Sequence, residues 1–203
     1  APEYDLSKIS KGYTVPYKEI KLQKSYSSFN ENIIKAHIKK IISSDNLVSK
    51  KSLYKKYDHH VQTNTVVEPG SDSAVIRIKG TDKMLALSCD GNSRLCGVNP
   101  KVGSEINIAE ACRNISVMGA TPIALTDGLN FGDPTKAKGA YELIETFKGF
   151  NNACEIFETP IISGNASLFN EGHKTSINPT PIIGAMGIMD KNIKVPKKGF
   201  ISE

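Results

Sequence analysis

Three short stretches of this sequence combine residue types that handle phosphate and hard cations. They are Asp90-Gly91-Asn92-Ser93-Arg94, Asp127-Gly128-Leu129-Asn130-Phe131-Gly132-Asp133 and Ser163-Gly164-Asn165-Ala166-Ser167. Each mixes glycine with Asp or Asn directly beyond an apolar run. Glycine lets backbone approach a phosphate closely. Asp carboxylates and Asn carbonyls are hard oxygen donors suited to Mg²⁺, which commonly bridges protein carboxylates and substrate phosphates. The same residues populate ordinary turns, and turns remain the alternative. One such stretch alone would say little; three, each following a different strand, argue for a nucleotide–metal site. None contains G-x-x-x-x-G-K-[ST] or a dinucleotide-binding glycine pattern, which disfavours those folds.

Other polar candidates read as structural. His59 and His60 form a pair in a lysine-rich loop and are read as solvated, as is His173 in a surface turn. Arg94 and Arg113 could meet a phosphate, but Arg113 lies in a helical pattern where an ion-pair partner is the simpler role. Lys136 and Lys138 read as solvated.

The elements that must hold the three stretches follow from periodicity. Residues 1–26, with Pro2, Gly12 and Pro16, read as a polar linker or arm. Residues 27–57 read as a helical lead-in. Phe29, Ile33, Ile34, Ile38 and Ile41 have helical spacing, with Ser27, Ser28 or Asn30 as the cap, and a second short helix is expected over 49–57. Residues 58–70 read as loop. Ala74 to Lys79 alternates as a strand, Gly80 to Lys83 is a four-residue connection, and Met84 to Cys89 completes a hairpin. A mostly buried helix is expected from Glu105 to Met118, with Gly119 just past its end. A strand over 122–129, a long helix over 139–157, a short strand at Ile161-Ile162 and an apolar strand over 180–189 follow. The order β-β-α-β-α-β-β implies an α+β fold with a mixed sheet covered by helices and the last strand central.

Composition bounds the rest. The 203 residues suit one large domain or one domain with an arm, enough to hide roughly 70% of the unfolded surface. Hydrophobic residues make up 39% and charged residues 23%, an ordinary globular balance. The net charge of +5 comes from scattered lysines without the interleaved aromatics of single-strand binders, so no nucleic-acid partner is expected. No apolar run approaches the ~20 residues of a membrane span, and Ala1 to Ser10 has no signal-peptide core. The missing initial Met hints at processing or an internal boundary. Cys89, Cys96, Cys112 and Cys154 contain no C-x-x-C pair and read as buried free thiols in a reducing, cytoplasmic setting.

Collinear motifs add a resemblance. The run Tyr57-Asp58-His59-His60-Val61-Gln62-Thr63-Asn64-Thr65, then Pro69-Gly70-Ser71-Asp72-Ser73, resembles the second synthetase-like half of the phosphoribosylformylglycinamidine synthase family. So do Ala86 to Arg94, Ala109 to Asn114, Thr126 to Pro134, Ser163 to Asn170 and Thr180 to Gly184, all in the same order. The resemblance covers about residues 57–190. It implies a mixed sheet like the N-terminal domain of AIR synthetase, able to pair with a second such domain into a barrel-like core. It places an ATP/Mg²⁺-site domain over 58–193 and the start of a linker to a further domain over 194–203.

The resemblance also implies roles. Asp127 and Gly164 match ATP contacts, Asn165 a Mg²⁺ ligand and Ser167 a substrate contact. Asp90 matches the first residue of an Asp-Gly metal or phosphate motif, with Asn92 in the same loop. Gly91 and Gly128 stand where Cys or Asn often follows the Asp in this family. The family's His-Asn-His-Pro segment, with its catalytic histidine, is absent from this sequence, so the chain is expected to be inactive alone. Implied partners are the remaining synthase domains, a glutaminase subunit or domain, and formylglycinamide ribonucleotide; self-association is also expected. Two alternatives stay open: another AIR-synthetase relative, and a structural nucleotide-binding or dimerisation module.

Overall fold

A computed structural model describes residues 3–15, 30–173 and 175–196. The chain divides into two compact units, Pro16–Asp58 and Ala1–Val15 with His59–Glu203. In the smaller unit, Asn30 caps helix α2 (Glu31–Ile42), its side chain accepting from the Ile33 N–H at 3.0 Å. Glu31 in the first turn and Lys39 and Lys40 in the last complement the helix dipole. Ser27, Ser28 and Phe29, also considered for this helix start, lie outside the described residues. The second helix, α3 (Lys51–Tyr54), is shorter than its pattern suggested.

Residues 3–15 belong to the larger unit, and their chain is not wholly irregular. Asp5 caps a single helical turn, α1 (Leu6–Ile9). Leu6 packs on the core, and the Tyr13 ring lies 5.2 Å from that of Tyr141.

The larger unit is built on a six-stranded sheet of order β1-β2-β3-β6-β4-β5. The strands are β1 (Thr65–Val67), β2 (Ala74–Arg77), β3 (Lys83–Asp90), β4 (Thr121–Asn130), β5 (Ile161–Ser167) and β6 (Thr180–Asp190). Only β4 and β5 are parallel. They are joined through α6 (Ala137–Phe157), since a parallel connection needs a crossover. The expected order gains three elements: β1, a turn of 3₁₀ helix at Val61–Thr63, and α4 (Ser93–Val98). Helix α5 (Pro100–Ser116) also starts earlier than expected, because Asn99 caps it and Pro100 suits its first turn. The hairpin loop is Ile78 to Asp82, one residue longer than expected, although the Ile78 N–H still bonds Lys83 O at 3.1 Å.

Strand β6 is central in strand order, as its apolar sequence implied, with β3 and β4 antiparallel on either side. Its burial alternates strictly. Pro181, Ile183, Ala185, Gly187 and Met189 are buried, while Ile182, Gly184, Met186 and Ile188 are partly exposed. The buried set lies under α5, which packs on β3, β6 and β4 with α6 alongside it. Ile108, Ala111, Cys112 and Ile115 on α5 meet Val75, Ala86, Leu125 and Ile183 there. Among the described residues, no helix is long and apolar enough to cross a membrane.

The helix comes closest to the sheet at Gly187. A Cβ there would overlap Ile115 Cγ2 and fall 2.8 Å from Thr121 O, both in packed positions. We expect Gly187→Ala to lower the unfolding free energy by about 1–3 kcal/mol, the usual cost of overpacking a core. Urea unfolding measures it, and a loss below about 0.5 kcal/mol would mean that α5 shifts freely.

Candidate functional site

Two of the three polar stretches are carried mostly by strands, whereas the first leaves β3 at Asp90 and runs into α4. Asp127 to Asn130 is the last part of β4, and Ser163 to Ser167 lies within β5. The residues need no loop because parallel pairing already satisfies their backbone: Asp127 pairs with Gly164, Gly128 with Asn165, and Asn130 with Ser167. Antiparallel pairing continues this row. Ile183 of β6 stands beside Asp127 on one side and beside Asp90 of β3 on the other. Asp90, Ile183, Asp127 and Gly164 thus form one line across four strands.

A bulge decides which way these side chains point. Leu125 pairs with Ile161, but Thr126 pairs with Ser163, leaving Ile162 unpaired and 66% exposed. An extra residue reverses the facing of everything after it. Gly164, itself exposed on the edge strand, therefore shares a face with Asp127 and buried Ile183. Ser163, Asn165 and Ser167 turn to the opposite face, where Ser163 Oγ donates to Thr126 Oγ1 at 2.9 Å.

Asp127 and Gly164 form one local arrangement. A Cβ on Gly164 would overlap Asp127 Oδ1, so only glycine leaves room for the carboxylate. Burial pushes the Asp127 carboxyl above its ordinary value of 3.8. Among the described residues no hydrogen bond or ion pair is found at this carboxylate, so it keeps its acceptor capacity for a donor or cation. Asn165 is exposed, with its amide oxygen beside Gly128; an added Cβ there would lie 3.5 Å away. Asn130 ties the end of β4, its Nδ2 donating to Gly128 O at 3.1 Å and Thr180 O at 3.2 Å.

Asp90 sits apart, two strands from Asp127 with β6 between. Its Oδ2 accepts from Asn114 Nδ2 on α5 at 3.1 Å. Burial again raises its pKa, with Glu110 adding to the rise and Asn114 and Arg113 opposing it. Asn92 serves the local structure, its side-chain oxygen capping α4 by accepting from the Leu95 N–H at 3.1 Å. Its own N–H donates to Asn107 Oδ1 at 3.0 Å, and Asn107 Nδ2 reaches Pro181 O at 3.2 Å. Asn107 is fully buried and clamps the Asp90 loop to β6. Sequence reading missed it, although an Asn on the buried side of a helix was a usable signal, because buried amides need partners.

Beyond β4 lies a cleft of about 540 Å³, bordered by Asp133, Lys136, Lys138, Glu171 and Ser176. The lysines are exposed, as their sequence setting implied, and are also paired. Lys136 Nζ lies 3.2 Å from Glu171 Oε2, and Lys138 Nζ lies 3.6 Å from Glu142 Oε1. Glu171 Oε1 accepts the Asp133 N–H at 2.9 Å, which with Lys136 holds the Glu171 carboxyl below its usual range. His60 Nε2 lies 2.6 Å from Glu68 Oε1 at the surface.

Among the described residues no cluster of three or more His, Cys, Asp or Glu side chains could hold a metal ion. The four cysteines are free, two of them buried. A hard cation here would draw a single amide oxygen from Asn165 and would need phosphate and water oxygens for the rest. That donor set fits Mg²⁺ carried by a nucleotide, since Mg²⁺ commonly keeps several waters and substrate phosphates as ligands.

Comparison with known proteins places this arrangement in a family. Residues 70–189 match AIR synthase related protein, N-terminal domain, and the chain belongs to that family. It is 47% identical over 163 residues to phosphoribosylformylglycinamidine synthase subunit PurL of Alkaliphilus metalliredigens, covering 80% of this chain and 22% of that protein. The same subunit of Caldanaerobacter subterraneus is 46% identical over 166 residues, covering 82% and 23%. The chain thus spans less than a quarter of the length of these relatives. Among solved structures, PurLQS from Thermotoga maritima superposes with a TM-score of 0.69 at 34% identity, covering 75% of this chain and 25% of that one. T. maritima PurL complexed with FGAR gives 0.65 at 35%, covering 74% and 24%. T. maritima PurL complexed with ATP gives 0.61 at 32%, covering 74% and 25%.

The electrostatics of Asp127 yield a sign. Its raised pKa means that the native state holds this proton more tightly than the unfolded chain. The associated instability is absent below the ordinary value of 3.8 and grows as pH rises through the folded pKa. Asp127→Asn should therefore gain stability relative to the parent as pH rises from about 4 to about 7. Urea titrations across that range test it, and a pH-independent difference would show that Asp127 is not strained by burial.

Proposed function

We propose that this chain is the ATP/Mg²⁺-site domain of the second half of a phosphoribosylformylglycinamidine synthase. That enzyme converts formylglycinamide ribonucleotide to formylglycinamidine ribonucleotide with ATP and glutamine-derived ammonia. The observation that carries the reading is the paired end of β4 and β5. Asp127 with Gly164, then Asn165 and Ser167, stand there in the order of the family's contacts. The likeness to T. maritima PurL structures described with ATP and FGAR supports it. The domain runs over 58–193, joined by residues 3–15, whose Leu6 packs on its core. Its setting is the cytoplasm.

ATP supplies the phosphoryl group that activates the substrate amide oxygen, and Mg²⁺ neutralises phosphate charge. The residues of this chain bind and orient. Asp127 accepts hydrogen bonds from the nucleotide or offers charge to its cation. Gly164 leaves room for that carboxylate and lets the nucleotide approach the backbone. Asn165 offers its amide oxygen to the metal, and Ser167 hydrogen-bonds the substrate. Asp90 borders the same end of the sheet as a further phosphate or metal contact, in a loop held by the Asn92 cap of α4. Positioning and charge neutralisation are the dominant contributions in phosphoryl transfer. None of these residues is a nucleophile or general base in this reading. Catalysis requires the remaining synthase domains, with a glutaminase subunit or domain delivering ammonia.

Calorimetric titration of the chain with ADP or ATP tests the site. Binding should require Mg²⁺ and weaken about tenfold in Asn165→Ala. Binding that ignores both Mg²⁺ and the substitution would favour a structural nucleotide module, and no binding at millimolar nucleotide would remove the site from this chain.

The open face of β6, with Ile182, Met186 and Ile188, is the face through which a second such domain would complete a barrel. An unpartnered apolar sheet favours association, so we expect a dimer in solution. Light scattering that gives the monomer mass at high concentration would reject it.

A further inference from the structure

Just past β5, one side-chain amide converges on the proposed substrate contact. Asn170 Nδ2 donates to Ser167 O at 2.8 Å, to Phe131 O at 3.0 Å and to Ser167 Oγ at 3.2 Å. Two of these acceptors are backbone carbonyls, which can only accept. They fix which end of the amide faces the strands. The backbone strengthens the clamp: the Asn170 N–H bonds Phe131 O and the Phe169 N–H bonds Gly132 O, each at 3.1 Å. Phe169 adopts φ +61° to make this return, a conformation uncommon for a bulky residue.

The consequence falls on one proton. A serine hydroxyl has a single O–H and two lone pairs. At Ser167 one lone pair takes a share of the Asn170 N–H whose shorter bond is to Ser167 O, because two amide protons serve three acceptors. The nearby alternative acceptor for the Ser167 proton is Asn170 Oδ1, at a long 3.4 Å. An oxygen of an arriving ligand would outcompete so long a contact. We propose that Asn170 is a positioning residue that holds the Ser167 hydroxyl as a hydrogen-bond donor toward an acceptor oxygen of the phosphoribosyl amide substrate. The inference rests on the reading of Ser167 as a substrate contact. Asn170 itself does not touch the substrate; it acts through Ser167.

A double-mutant cycle tests this, with formylglycinamide ribonucleotide titrated calorimetrically into the chain, Ser167→Ala, Asn170→Asp and the double variant. The isosteric carboxylate would take the Ser167 proton for itself. Each single variant should bind about tenfold more weakly, and the double variant no more weakly than Ser167→Ala. Additive losses, about a hundredfold in the double variant, would overturn the positioning role while leaving Ser167 as a contact. Full affinity in Ser167→Ala, or no binding by the parent chain, would overturn the inference and the reading together. Because Asn170→Asp also disturbs the junction of β4 and β5, a second readout uses the unsubstituted chain. The Asn170 side-chain amide resonances in ¹⁵N NMR should shift with the same Kd as calorimetry gives. Resonances unmoved at saturation would overturn the proposal.

Discussion

The parallel pairing of β4 with β5, beyond the bulge at Ile162, is the constraint on which the site depends. Without the bulge, period-two alternation would put Ser163, Asn165 and Ser167 on the same face as Ile161 and Leu125. With it, three polar side chains turn to the opposite face and one glycine stands beside Asp127. A strand interior is more rigid than a loop, so a site written into paired strands is held by the same hydrogen bonds that hold the sheet. The long helix α6 is required by the same constraint, since parallel neighbours cannot be joined by a tight turn.

The helix-covered face carries an electrostatic tension that an apolar core would not. Asp90 and Asp127 occupy the same row, on either side of Ile183, and desolvation raises both pKa values. Asp90 is partly relieved by Asn114, a partner on the helix that roofs the sheet. Asp127 has no such relief among the described residues. A carboxylate kept where burial disfavours its charge is a common signature of a functional position, because a ligand can supply the stabilisation that the fold withholds. The contrast separates two carboxylates that looked equivalent as sequence motifs.

Much of this was legible in the residues. The α+β order, the central place of β6 and the end of α5 before Gly119 follow from apolar spacing and from helix-stop chemistry. The strand ends were misread because Gly, Asn and Asp weigh against strand on propensity, whereas pairing on both sides overrides propensity in β4. The bulge was invisible, since Ile161-Ile162 reads as two equivalent apolar residues and only register distinguishes them. Asn92 illustrates the opposite error. Its type suits a metal, but a cap three residues before Leu95 uses the same oxygen, and only geometry shows which use prevails. Lys136 is the surface charge that its setting implied, and it also borders the cleft beyond β4 through a contact to Glu171, 35 residues away.

The division of the site between two faces bears on what one such domain can do. Asp127 and Gly164 lie on the side where α5 packs over the central strands, whereas Asn165 and Ser167 lie on the side that, among the described residues, no helix of this unit covers. Groups on opposite faces of one sheet cannot jointly surround a single small ligand from above. They can do so only at the sheet's end, where a ligand wraps the strand terminus, or where a second layer closes the open face and brings its own donors. The apolar character of that face, strand by strand from Leu85 and Leu87 to Met186 and Ile188, fits the second arrangement. Apolar residues occupy both faces of β6, and helix α5 covers one of them. The polar residues Asn165 and Ser167 stand on the edge strand of the other face. A second layer laid over it would dry one side of a ligand held at that edge, which would strengthen every hydrogen bond the edge can offer.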